Sequence, residues 1–267
     1  MQRPSVFTSL LAVLSLALPA GVAFGQPTPP GPTTVSSTRF EAAGVPGPIE
    51  LVQSVVDFAP GAAVSPHTHV GQVFVTVLEG ALTLSVDGRE QTYRAGETFI
   101  EGPGHLISVA NPTAGNTRLF VSYVLPKGAP LTTPQEGAPV PAVRPTTVAT
   151  GRFEIAEPPA QFEVVQVLLD FSSGAWTPPH SHGGPVLVTV LAGEVTERRP
   201  GVERRFGPGE GWTENAGDLH AAGNESGAKA SVAATFLLRK GAELTTVHEA
   251  LAPAAPAPAP AQLPRPR

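Results

Sequence analysis

The 267-residue sequence contains no cysteine and a single methionine. Without cysteine there is no disulfide framework, no thiolate metal site and no lipid-anchored thiol. Positive charge is also scarce: 17 Lys and Arg face 22 Asp and Glu, a formal charge of −5, and the basic residues form no extended run. Such a chain offers little electrostatic footprint for nucleic acid or anionic lipid, so neither is expected as a partner. The mostly apolar run from Val6 to Leu18 falls short of the ~20 residues that a membrane-spanning helix needs. No sustained helical period follows it, and the glycines show no phosphate-loop spacing.

What the start does contain is a positive residue, Arg3, then the apolar run, then small residues around Ala23-Phe24-Gly25. This is the layout of a secretory signal peptide. Cleavage is expected just before Gln26, giving a secreted or periplasmic protein, with residues 1–25 as the leader.

Residues 33–133 align with residues 146–246 at a constant offset of 113, without a gap and with about 40 of 101 positions identical. Asp57-Phe58 meets Asp170-Phe171, His67-Thr68-His69 meets His180-Ser181-His182, and Val75-Thr76-Val77-Leu78 meets Val188-Thr189-Val190-Leu191. Units of ~100 residues indicate a duplicated domain, because solenoid repeats run 20–50 residues. The expected layout is an unstructured segment at 26–37, domain 1 at 38–133, a Pro-rich linker at 134–150, domain 2 at 151–247 and a Pro/Ala-rich tail at 248–267.

Within each copy, short β-branched runs such as Leu51–Phe58, Val73–Leu78 and Leu119–Leu125 alternate with Gly, Pro and Asn turns, and Asp87-Gly88 is a hairpin signal. Each copy therefore reads as an antiparallel β-barrel or sandwich; a single barrel with internal symmetry is the alternative.

Six of the seven histidines fall in the repeats. His180 and His182 are two apart at the start of an apolar strand, which puts both imidazoles on one face, and His220 follows a Gly-rich stretch. Three converging imidazoles suit Zn, Fe, Mn, Ni or Cu with a position left for water or substrate. The bland alternative is a pair of histidines hydrogen-bonded to backbone. In copy one, His67 and His69 recur, but Ile107 stands where His220 stands in copy two; His105, two residues earlier, is the candidate for a displaced third ligand. His248 is expected to be solvated. Trp176 replaces Ala63 and Trp212 replaces Phe99; either can wall a pocket or simply fill a core.

Gly174-x5-His180-x-His182 followed by Gly193 resembles the first cupin motif, and Gly217-x2-His220-x3-Asn224 resembles the second, with Asn215 in place of its usual proline. The resemblance implies an all-β fold of two tandem cupin-like antiparallel barrels, double-stranded β-helices or jelly rolls, with a divalent transition metal in a barrel open at one end. The glutamate that the first motif usually supplies is replaced by Val186 in copy two and Val73 in copy one. Glu210, Glu214 and Asp218 are the carboxylates near the second motif, each expected to be solvated or to act from outside the ligand set.

Three functions stay open: a metal-dependent oxidoreductase or lyase acting on a small organic molecule, a non-catalytic protein that captures a small ligand or a metal ion, and a structural module with vestigial sites. The oligomeric state, monomer or homo-oligomer, is also open.

Overall fold

The computed structural model describes residues 29–43 and 47–249, so the expected leader and most of the expected tail lie outside the described residues. Among the described residues there is no helix, and hence none long and apolar enough to cross a membrane. The first half contributes β1 (Thr33–Ala43), β2 (Ile49–Phe58), β3 (Ala63–Thr68), β4 (Gln72–Glu79), β5 (Ala81–Val86), β6 (Arg89–Arg94), β7 (Thr98–Glu101), β8 (Ile107–Ala110), β9 (Thr117–Pro126) and β10 (Thr133–Pro134). The second half repeats the series: β11 (Thr146–Ile155), β12 (Gln161–Phe171), β13 (His180–Ser181), β14 (Val186–Ala192), β15 (Val195–Arg199), β16 (Val202–Phe206), β17 (Gly211–Glu214), β18 (Ala221–Gly223), β19 (Ala230–Arg239) and β20 (Thr246–Val247).

Barrel one packs the sheet β11-β2-β9-β4-β7 against β10-β3-β8-β5-β6. Barrel two packs β1-β12-β19-β14-β17 against β16-β15-β18 and the small pair β13-β20. Each barrel thus takes its outermost strand from the other repeat. β1 pairs with β12 from Thr33↔Asp170 to Ala43↔Gln161, and β11 pairs with β2 from Thr146↔Asp57 to Ile155↔Ile49.

This exchange differs from the layout expected from sequence, in which 26–37 and 134–150 lay outside the domains. β1 begins at Thr33, and β11 begins at Thr146 inside the presumed linker. Both are edge strands that expose one face and turn the other, with Phe40 and Ala42 on β1 and Phe153 and Ile155 on β11, onto the junction between the barrels; Ser36, Thr38 and Gly151 on that inner face leave the alternating apolar pattern incomplete. Their order comes from main-chain pairing along the whole strand together with this partly buried face.

The central strands are buried on both faces, for different reasons. Along β4, Val73, Val75 and Val77 point into barrel one, whereas Phe74 joins Leu51, Val124, Phe162, Leu187 and Leu237 in a separate cluster where the barrels meet. Along β14, Val186, Val188 and Val190 fill barrel two while Leu187 faces the junction. Full burial of each such side chain is worth about 1.5–3 kcal/mol.

A closed polar network runs through the same junction. Gln53 donates to Leu187 O and Thr235 Oγ1 (2.7 Å each) and accepts from Thr189 (2.8 Å). Its counterpart Gln166 donates to Ser122 Oγ (2.7 Å) and accepts from Thr76 (3.0 Å). Every member is hydrogen-bonded, which offsets the cost of burying it, and the network fixes the barrel-to-barrel register. The Asp87-Gly88 hairpin forms as expected: both residues have positive φ (49° and 81°) and join β5 to β6, as a two-residue type I′ turn requires.

Candidate metal centres

In barrel two, β13 and the segment before β18 are clamped together by paired backbone bonds: His180 N–H donates to His220 O (2.8 Å) and His220 N–H to His180 O (3.0 Å). The clamp brings His180, His182 and His220 together, all buried, with ligand atoms within 4.8 Å of one another. Each ring donates Nδ1–H to a backbone carbonyl: His180 to Pro178 (2.9 Å), His182 to Leu244 (2.7 Å) and His220 to Asp218 (3.2 Å). Those bonds select the tautomer that leaves Nε2 with a bare lone pair, the arrangement found behind metal-ligating histidines.

Glu214 completes the cluster, and its role differs from the solvated one expected. It is 2% exposed, with Oε1 3.0 Å from His220 Nε2 and Oε2 3.2 Å from His182 Nε2. Trp212 Nε1–H donates to Oε1 (2.6 Å). Oε2 has no hydrogen bond of good geometry despite its closeness to His182. Burial pushes the carboxyl upward, but its contacts with His182 and His220 outweigh that and hold it well below the usual carboxylate range. His220 is raised, because Glu214 overcomes the lowering by burial. His180 is pushed down to about 4, first by burial and then by the neighbouring His220.

Bare imidazole nitrogens facing carboxylate oxygens at ~3 Å set acceptor against acceptor unless a proton or a cation lies between. The donor set, neutral nitrogens with one carboxylate, suits a divalent transition ion. The other two carboxylates near the motif face away. Glu210 accepts from Gly207 N–H in an exposed turn, and Asp218 accepts from Asn215 N–H and contacts Arg199.

Glu214 sits directly opposite Val186 in the β14–β17 ladder. Partners across a ladder point to the same face. The carboxylate missing at 186 is thus supplied from the other side of the same rung. Barrel one repeats the geometry, with Glu101 opposite Val73.

In barrel one, His67, His69 and Glu101 are buried with ligand atoms within 4.8 Å of one another. His67 Nδ1–H donates to Ser65 O (2.8 Å) and His69 Nδ1–H to Leu131 O (2.6 Å). His69 Nε2 lies 3.2 Å from His67 Nε2 and 3.0 Å from Glu101. His105 does not join them, which corrects the sequence expectation: its side chain is 54% exposed and donates to Asp87 Oδ2 (2.7 Å). The ladder pairs Ile107, not His105, with His67, and His105 sits in the turn that precedes β8.

Each cluster opens on a cavity, of about 340 Å³ in barrel two and about 270 Å³ in barrel one. Trp212 walls the first, whereas Trp176 packs on Gly223 and carries Arg198 over its ring at 4.0 Å. His248 is exposed and contacts Ser181 Oγ (2.9 Å).

Residues 54–123 match the family described as Cupin domain. The match places a cupin domain in the first repeat. A search of curated proteins by sequence finds no match. Among solved structures, the chain resembles AerE from Microcystis aeruginosa (16% identity, 79% of this chain and 98% of that one, TM-score 0.52). Vicilin from hazelnut, Corylus avellana, aligns at 10% identity over 77% and 84% of the two chains, with TM-score 0.54. Oxalate decarboxylase from Bacillus subtilis aligns at 12% identity over 76% and 78%, with TM-score 0.50. At such identities the likeness shows the fold alone.

Proposed function

We propose that this cupin is an exported protein whose barrel two binds one divalent transition metal tightly through His180, His182, His220 and Glu214, and presents it to a small organic molecule in the adjoining cavity. One observation carries the reading. Three Nε2 lone pairs and a buried, underbonded carboxylate converge with every Nδ1–H already satisfied by backbone. His67, His69 and Glu101 form a weaker counterpart in barrel one. The export part rests on the layout of residues 1–25.

A metal held there would supply Lewis acidity or, if redox-active, oxygen activation. The chain's own groups fix the imidazole orientations through Pro178, Leu244 and Asp218, and Trp212 holds the carboxylate. A second reading, capture of a ligand without turnover, is supported by the cavity wall: among the described residues its only ionisable groups are the four proposed ligands. No separate proton donor or acceptor is at hand.

Elemental analysis of protein purified without chelators or an affinity tag tests the metal assignment. Close to one tightly held equivalent is expected, lost on His220→Ala while circular dichroism stays native. Absence of metal after offering Zn, Fe, Mn, Ni and Cu would overturn it. Glu214→Val should also weaken binding, and adding Val186→Glu should recover it by returning the carboxylate to the opposite side of the rung. Oxygen uptake and carbon dioxide release with candidate acids, diketones and phenols then separate enzyme from binder.

A further inference from the structure

The barrel-two cavity is larger than a metal ion and its waters require: about 340 Å³, or roughly eleven waters' worth of liquid. Its wall is made of Val167, Leu169, Phe171, Val232, Ala234 and Phe236, with Pro32 and Thr34 of the exchanged N-terminal segment near its edge. Among the described residues, the polar side chains reaching it outside the histidine–glutamate cluster and Trp212 are Thr34, Thr177 and Thr245, and no lysine or arginine lines it. Arginines on the same barrel are engaged elsewhere: Arg199 with Glu197, Asp218 and Thr213 O, and Arg198 with Glu203 and Glu225.

Charge then limits what can enter. Three neutral imidazoles and one carboxylate around a divalent ion leave a single positive charge. One monoanion neutralises it. A small dianion would leave a negative charge in an apolar cavity with no cation to pair it, which is costly. We propose that this cavity takes an apolar monoanion, bound to the metal by one or two oxygens at one end and buried along its hydrocarbon body against Phe171, Val232 and Phe236, and that it rejects small dicarboxylates. The proposal rests on the metal assignment above and adds the class of ligand.

Tropolone, a ring-bearing monoanionic oxygen chelator, and oxalate, a dianion that chelates through oxygen, are suitable probes. Each is titrated into metal-loaded protein of measured metal content. Binding is followed by quenching of Trp212, which lines the cavity and shares the chain with only one other tryptophan, Trp176. Tropolone is expected to saturate at one per barrel-two metal and to bind at least tenfold tighter than oxalate, with metal content unchanged after desalting. Ala234→Leu, which fills the wall, should weaken tropolone at least tenfold and leave metal content intact.

Oxalate binding as tightly as tropolone, or tropolone stripping the metal, would overturn the ligand class while leaving the metal site standing. A protein that takes up no metal would instead sink the parent assignment and this one with it. Should Ala234→Leu fail to fold, the comparison of the two probes on the native chain still decides.

Discussion

The two barrels share a scaffold but not a site, and the differences follow one line of substitution. His67, His69 and Glu101 recur as His180, His182 and Glu214. Around them, Ile107 faces His220, Phe99 faces Trp212 and Tyr123 faces Phe236 at the same offset. Barrel two therefore has a third imidazole and an indole N–H that holds its carboxylate. Barrel one has a fully buried isoleucine in the first place and a phenylalanine in the second, and its cavity receives the Tyr123 ring instead. Burial and the nearby Glu101 both push the Tyr123 phenol upward, so it stays protonated at neutral pH. A cluster of two imidazoles and a carboxylate can still hold a metal, but with fewer donors and a less constrained carboxylate.

The sharpest test exchanges the third donor. His220→Ile should weaken barrel-two metal binding by more than the ~100-fold that loss of a hydrogen-bonding partner behind a ligand costs. Ile107→His should raise barrel-one affinity in return. Competition with a chromophoric chelator measures both. If His220→Ile kept native affinity, the comparison would collapse, and His180, His182 and Glu214 would have to suffice.

Trp212→Phe makes the carboxylate of barrel two resemble that of barrel one. It removes the 2.6 Å bond to Glu214 Oε1 without changing the ligands themselves. A loss of about 10–100-fold in metal affinity is expected, read by the same competition. An unchanged affinity would mean that the indole only fills space.

A third contrast concerns packing rather than metal. Trp176 lies across Gly223, where an added Cβ would fall 2.1 Å from the indole ring. The matching pair in barrel one is Ala63 opposite Ala110. A large residue against none and two small residues are alternative solutions to one space. Gly223→Ala should cost about 1–3 kcal/mol, because the indole must move or the strand must shift; Ala110→Gly should cost less, roughly 0.5–1 kcal/mol. Chemical denaturation compares them, and equal losses would show that Trp176 is free to yield.

Much of this was legible beforehand. The ungapped repeat, the Asp87-Gly88 turn and the spacing of His180, His182 and His220 follow from local chemistry, and local chemistry is what a sequence displays. The carboxylates were harder. Glu101 and Glu214 recur at offset 113, but so do Glu41, Glu50, Asp57, Glu90 and Glu97 with their partners. Only the strand register, which puts Glu214 across from Val186, singles one pair out. The exchanged strands were hidden for a related reason: β1 and β11 pair with the other repeat, and their inner faces mix Phe40, Ala42, Phe153 and Ile155 with Ser36, Thr38 and Gly151, a pattern that does not name the partner strand. Tertiary pairing decides both.

The smallest expected effect is the most direct check on that register. Two residues separate His105 from Ile107, and sequence spacing alone admits His105 as a substitute ligand. In the ladder, Ile107 occupies the rung opposite His67, and the turn before β8 turns His105 toward Asp87 at the surface. The Asp87 carboxyl is held below its usual range, chiefly by its hydrogen bond to His105, but both groups are exposed, and exposed pairs are strongly screened. His105→Ala should therefore leave unchanged, within error, both the melting temperature and the metal that each barrel takes up from excess ion, whereas His67→Ala should abolish the weaker uptake by barrel one. A loss of barrel-one metal from His105→Ala would mean that the β3–β8 register shifts on loading, and the two barrels would then converge on three imidazoles each.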